Sequence, residues 1–324
     1  MSIWSLTIMK RILESVMEYH QAMRRIFLFA ICSILSFQYI GILSNLPAVY
    51  WLHYIERPFV FRCLLPLLAN GSWAGILVLI SLFCSGLTLS MMYLYEKYWT
   101  PSLRNDISFI TAYFLLVIFL TRFSNYYDFP SAFFFLILFI LFENKKYLLS
   151  APVFILACLN RETAIILIPV LFVMSRKVSL PMLFTVIFFT VRFMIVFADG
   201  NASGQSAYNN ILSNFELYAR DYLVTVALLL VGAEFVLLVI ANTPYLPTNM
   251  LIYLGIVLPA LLGVYVLFGV PTEVRVFSES MPILFLAALM QPKSKRMPRD
   301  DFRFASVFQG IRDRRNRSNS QHST

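Results

Sequence analysis

The sequence predicts an all-α, polytopic bundle of about ten transmembrane helices with both termini cytoplasmic. Three observations carry that expectation. Hydrophobic residues make up 59% of the 324-residue chain and charged residues only 13%, where soluble domains hold about half and a quarter. Apolar runs near span length recur from residue 26 to residue 291. Basic residues gather on alternate connecting segments, as cytoplasmic loops require. Mean hydropathy is +0.74. These features exclude an ordinary soluble enzyme, a disordered chain and a fibrous one.

Residues 1–25 are amphipathic and carry Lys10, Arg11, Arg24 and Arg25. They read as an interfacial segment with a helix over 4–23 on the membrane surface; a mobile tail is the alternative. The first apolar run, 26–46, has no small-residue cleavage site after it, so it is expected to be a span rather than a removable signal. Further runs cover 73–95, 107–121, 130–142, 147–159, 163–174, 178–198, 221–241, 250–270 and 278–291. Those at 130–142, 147–159 and 163–174 rise only about 20 Å. Either the bilayer adapts to them or they stop inside the protein.

With ten spans and the N-terminus inside, 19 of the 26 Lys and Arg residues fall on inner segments. Lys97, Arg104, Lys145, Lys146, Arg176 and Lys177 mark the inner loops, and nine more lie beyond residue 292. This places the protein in the plasma (inner) membrane. Residues 147–174 admit two readings, a hairpin or one long helix centred on Asn160–Glu162; charge asymmetry favours the hairpin. Residues 26–292 form the membrane domain. Residues 293–324 form a basic cytoplasmic tail, expected to be disordered and held near anionic lipid. The net charge of +9 comes mostly from this tail and points to membrane lipids, not to nucleic acid.

Polar residues concentrate in the five outer segments, 47–72, 122–129, 160–163, 199–220 and 271–280. Each holds an acid and an arginine, and all but 160–163 lie beside aromatics, whereas the inner loops are read as carrying little beyond basic pairs. Charge at membrane depth is costly and faces a cavity or a counter-charge. Arg62, Arg122, Arg161 and Arg275 suit bidentate binding of phosphate or carboxylate. Asp128, Glu162 and Glu273 suit orientation of those arginines or sugar hydroxyls, and Glu56 suits a general base. The alternative is that these are internal salt bridges and interfacial anchors. Pro58 and Pro66 interrupt the segment from Glu56 to Asn70, which reads as a short re-entrant or surface helix.

Arg192 and Glu234 are two further ionisable residues, inside the runs at 178–198 and 221–241. Mutual pairing, snorkelling of Arg192 and a proton-coupled role for Glu234 are the readings open to them. Cys32, Cys63, Cys84 and Cys158 are scattered and read as small core hydrophobes. No zinc pattern, P-loop or dinucleotide fingerprint occurs. The sequence therefore names no cofactor and no metal site.

The stretch Arg122 to Asp128, the NRETA that opens an apolar helix at 160, and Glu273 to Phe277 before the last run resemble GT-C-class integral-membrane glycosyltransferases. They are equally similar to multispan proteins of surface-polysaccharide biosynthesis. The resemblance covers most of residues 26–291. It implies inverting transfer from a polyprenyl-phosphate sugar on the extracytoplasmic face. Glu56 stands where the class places its base, and Arg161 and Arg275 would hold the donor phosphate. The paired acids found in some members of the class are absent here. A transporter or flippase, a polysaccharide polymerase and a noncatalytic assembly subunit remain as alternatives. A transporter would usually show internal repeats, and NRET has no sequence counterpart in the second half.

Overall fold

A computed structural model describes residues 3–44, 64–69, 72–123, 128–198, 222–268 and 274–290. Among these residues every element is a helix, α or 3-10, and the fold is all-α. Helix α1 spans Ile3–Ser44, α2 Leu64–Leu68, α3 Trp73–Tyr98, α4 Leu103–Phe123, α5 Asp128–Glu143 and α6 Tyr147–Asn160. Then come α7 Leu167–Ser175, α8 Ser179–Ala198, α9 Tyr222–Asn242, α10 Thr248–Phe268 and α11 Met281–Leu289. Apart from end residues, the described part of each apolar run is helical, except that the last is broken at Ser280; the runs at 163–174 and 278–291 each pass from a 3-10 helix into an α-helix. Three of the helices, over Ala74–Tyr98, Leu103–Leu120 and Thr248–Val266, are long and apolar enough to cross a membrane.

The expected surface helix over 4–23 is helical, but it has no break before the first apolar run: α1 continues for 42 residues. Arg24 of α1 meets Asp106 at the start of α4, so the turns before Arg24 project past that end of the bundle. Residues 14–22 are exposed throughout. The tail from 293 lies outside the described residues.

Helices α5 and α11 occupy the centre. Twelve residues of α5 and seven of α11 are buried, because both sequences are apolar on every side rather than along one stripe. Helix α3 lies close against α5 where Gly86 faces Phe133; a Cβ at Gly86 would stand 2.7 Å from Phe133 Cε2. The Tyr113 hydroxyl joins α4 to Ser36 of α1 at 2.7 Å and to Thr88 of α3 at 2.8 Å. A buried hydroxyl that leaves water needs such partners.

The connection through 147–174 reverses direction at Arg161. Helix α6 ends there with an extended residue, φ −158° and ψ 143°. Phe184 of α8 packs on Phe154 of α6 with ring centroids 4.8 Å apart. Eight residues further along, Arg192 of α8 reaches the Cys158 carbonyl and Glu162. Helices α6 and α8 therefore run the same way, and α7 returns between them. This is the hairpin, not one long helix.

Two helices stop short. Helices α7 and α11 have nine residues each, about 13 Å of rise. Each follows a short 3-10 helix, Glu162–Ile166 before α7 and Val274–Glu279 before α11. NRET thus has a structural counterpart in the second half that the sequence comparison missed.

Candidate functional site

The two 3-10 helices bring their polar residues to one place. Asp128 opens α5 and is 0% exposed; Arg161, between α6 and its 3-10 helix, is 3% exposed; Glu279 ends the second 3-10 helix at 1%. Arg161 Nη1 lies 2.9 Å from Glu279 Oε1 and 3.3 Å from Asp128 Oδ1. The same nitrogen donates to Ser278 Oγ at 3.2 Å. Thr163 donates its hydroxyl to Glu279 Oε1 at 2.7 Å. A guanidinium has five N–H donors in a planar fork, so one arginine can join acids from chain segments more than a hundred residues apart.

Flanking polar groups complete the cluster. Asn160 Nδ2 donates to Ser131 Oγ at 2.8 Å and ties the end of α6 to the start of α5. The Tyr253 hydroxyl of α10 donates to the Glu279 carbonyl at 3.0 Å. Glu279 Oε2 is buried with no hydrogen-bond partner among the described residues. Beside the cluster, Glu162 and Arg192 pair at 3.4 Å, and Arg192 also donates to the Cys158 carbonyl at 3.2 Å. Glu162 is the accessible member, its side chain 46% exposed.

The sequence-predicted residues divide into three groups. Asp128 and Arg161 come together, with Glu162 alongside. Arg122 sits in the last turn of α4 and Arg275 on the second 3-10 helix; their side chains lie outside the description. Glu56, Arg62 and Glu273 lie outside the described residues.

Sequence reasoning missed Glu279, which falls within the run read as the last span. The signal was available: an acid between two serines at the start of an apolar run is an intramembrane charge and a site candidate by default. Arg192 pairs with Glu162, not with Glu234. Glu234 is exposed on α9.

One expectation about the opposite end is corrected. Arg24, Arg25 and Lys97 there are paired with acids. Arg25 makes a two-point contact with Glu96, 2.7 Å and 2.8 Å. Arg24 pairs with Asp106 at 3.2 Å, Lys97 with Glu143 at 2.8 Å, and Tyr95 donates to Asp106 at 2.6 Å. Acids from α3, α4 and α5 offset the bases that the sequence pattern counted alone.

Among the described residues no three His, Cys, Asp or Glu side chains converge in a metal-binding arrangement. An apolar groove of about 290 Å³, lined by Phe172, Val178, Pro181, Met182, Thr185 and Val186, lies where α7 turns into α8. That is the end away from the buried cluster.

No family model, curated protein or solved structure matches the chain. Function is therefore argued from the cluster itself.

Proposed function

We propose that the chain is a multispan membrane protein of glycosyltransferase type, with ten spans and cytoplasmic termini. On this reading it transfers a sugar from a polyprenyl-phosphate donor on the extracytoplasmic face. One observation carries it: Asp128, Arg161 and Glu279 converge at a single end of the bundle. That is the end opposite the basic loops, which the positive-inside rule places in the cytoplasm.

Asp128 and Glu279 hold Arg161 in one orientation, and a charge fixed in advance costs no reorganisation when a phosphate leaves. Arg275, four residues before Glu279, binds the donor phosphate with Arg161. Glu56 takes the proton of the acceptor hydroxyl as its oxygen attacks the anomeric carbon. The bond from that carbon to the phosphate oxygen breaks, and polyprenyl phosphate leaves with the negative charge that the arginines stabilise. Glu162, Arg62, Arg122 and Glu273 orient sugar and arginine groups around it.

The test is transfer of radiolabelled sugar from a synthetic polyprenyl-phosphate donor by the full chain in proteoliposomes. Glu56→Gln and Arg275→Gln avoid the buried triad and should lower transfer at least 100-fold with unchanged gel-filtration behaviour. Full transfer by Glu56→Gln removes that residue as the base. Absence of transfer by the unaltered chain overturns the reading.

A second reading is a flippase for a lipid-linked sugar. It is favoured by the two interrupted helices, α7 and α11, each entered through an acidic 3-10 helix at the same cluster. Such a pair in the two halves of a chain is a feature of secondary transporters. Movement of a fluorescent polyprenyl-phosphate sugar across the bilayer without transfer would select it.

A further inference from the structure

The buried cluster gathers more acceptors than its guanidinium can serve. Arg161 Nη1 lies 2.9 Å from Glu279 Oε1, 3.3 Å from Asp128 Oδ1 and 3.2 Å from Ser278 Oγ. A single NH2 group cannot give a hydrogen to each of three oxygens. Both carboxyl groups meet the same nitrogen, so they stand close together in a buried site, where the charge of one opposes the charge of the other. With both ionised, Asp128, Arg161 and Glu279 carry one net negative charge. Their side chains are at most 3% exposed, and an unbalanced charge out of water is costly. The pair beside them, Glu162 and Arg192, is balanced within itself.

The two oxygens of Glu279 differ. Oε1 receives Arg161 and the Thr163 hydroxyl at 2.7 Å. Oε2 is buried and has no hydrogen-bond partner among the described residues. A bare carboxylate oxygen in such a place costs far more than a neutral hydroxyl. The groups that face Glu279 come from several elements. Helix α5 presents Asp128, the turn after α6 presents Arg161, and α10 presents Tyr253, whose hydroxyl donates to the Glu279 carbonyl. Helix α11 has no ionisable side chain.

We propose that Asp128 and Glu279 hold one exchangeable proton between them, seated on Glu279 Oε2, which makes the junction of the two helix breaks a proton-binding site. Uptake turns the carboxylate into a carboxylic acid and brings the cluster from one net negative charge to none. The proton exchanges with water at the end of the bundle where Glu162 is 46% exposed. Release leaves two carboxylates opposed where both 3-10 helices enter α7 and α11. Intramembrane acids serve as carriers in proton relays, and short 3-10 segments serve as hinges. This inference does not rest on the glycosyltransferase reading, and its test reads no transfer.

The test is infrared spectroscopy of the full chain in lipid nanodiscs at neutral pH, read at the carbonyl stretch of a protonated carboxyl and its downshift in D2O. The unaltered chain should show a band that Glu279→Gln abolishes. The amide keeps an acceptor for Arg161 and Thr163 and puts a donor in place of the acid hydroxyl. Asp128→Asn leaves one acid to one guanidinium, so Glu279 should ionise and the same band should vanish. Thr163→Val takes the hydrogen bond from Oε1, the carbonyl oxygen of the acid, and should move the band to higher frequency without loss. That variant keeps both acids, so it reads the site even where the other two fail to fold. An acid elsewhere gives a band that answers to none of the three. A band indifferent to any of these variants overturns the proposal. So does the absence of a band from the unaltered chain, the result if Arg122 or Arg275 supplies a second cation.

Discussion

The two ends of the bundle use the same residue types at very different depths. At the loop end, Arg25 is 55% exposed against Glu96, and Lys97 is 31% exposed against Glu143. At the other end, the Arg161 side chain is 3% exposed, and the side chains of its two acids, Asp128 and Glu279, are 0% exposed. Water screens the Arg25–Glu96 pair, and such exposed pairs contribute about 0–1 kcal/mol, whereas in Lys97–Glu143 only the lysine reaches solvent, the Glu143 side chain being 5% exposed. The second set has left water, so each member depends on the others, and removing one costs about 3–5 kcal/mol. The loop-end pairs staple neighbouring helices that α1, α3 and α4 would form anyway. The buried cluster forces α5, the α6–α7 turn and the second 3-10 helix into one arrangement. Burial, rather than the count of charges, separates a stapled rim from a site.

The sharpest way to break the comparison is to ask whether the two ends face opposite sides of a membrane. Glu162→Cys and Ser175→Cys lie at opposite ends of the α7 segment. With the native cysteines removed, an impermeant maleimide added to intact cells should label 162 at once and 175 only after permeabilisation. The contrast is all or none. Labelling of both from outside would put the cluster and the basic loops on one side and end the extracytoplasmic assignment.

Arg161→Met should come next in size. It strands Asp128 and Glu279 without their guanidinium and should lower stability by about 3–5 kcal/mol, read as loss of the monodisperse peak on fluorescence-detected gel filtration. Adding Asp128→Asn and Glu279→Gln removes the stranded charges and should restore at least half of that loss. The triple variant should still transfer no sugar. Recovered transfer would mean that the cluster is only a structural device. Thr163→Val takes one hydroxyl from Glu279 and leaves Arg161 in place. It should cost about 2 kcal/mol, in the range of hydrogen bonds to charged groups.

Much of this contrast was legible from residue order. Apolar runs located ten helices because an apolar stretch in a chain this hydrophobic has no other low-cost conformation. NRET marked the break at Arg161 because four polar residues in an apolar stretch must meet partners. Asp128 and Arg161 were named for the same reason. Glu279 escaped because the last apolar run, 278–291, takes in Ser278, Glu279 and Ser280 and so hides the helix break at Ser280. Its partners, Arg161 and Thr163, lie more than a hundred residues away, and no local pattern reports a contact over that distance. The loop-end pairs escaped for a related reason. Glu96 and Lys97 are adjacent in sequence, yet each pairs with a different helix.

The same comparison predicts a small effect at the loop end. Arg25→Gln or Glu96→Gln should each shift stability by no more than about 1 kcal/mol. The double-mutant cycle between them should give a coupling of the same size or smaller, diminished by added salt. A coupling above 2 kcal/mol would place this rim in the energetic class of the buried cluster.

The smallest effect concerns backbone, and its sign is opposite. Helix α5 closes with the Lys146 amide on the Leu141 carbonyl and the Lys145 amide on the Phe142 carbonyl. This pairing puts Lys145 at φ 56°. Glycine is the usual residue there, because a Cβ in the left-handed region is strained. Arg176 ends α7 in the same region, at φ 55°. Both turns at this end therefore hold a basic residue where glycine would be more stable. Lys145→Gly should raise stability by up to about 1 kcal/mol, measured as an increased unfolding midpoint in detergent. If positive charge in these turns sets sidedness, a variant carrying both Lys145→Gly and Arg176→Gly should gain stability as purified protein. It should also let a measurable fraction of Ser175→Cys be labelled from outside the cell. A gain in stability with no change in labelling would show that the remaining basic residues are enough to orient the chain, and that these two are retained for a local reason.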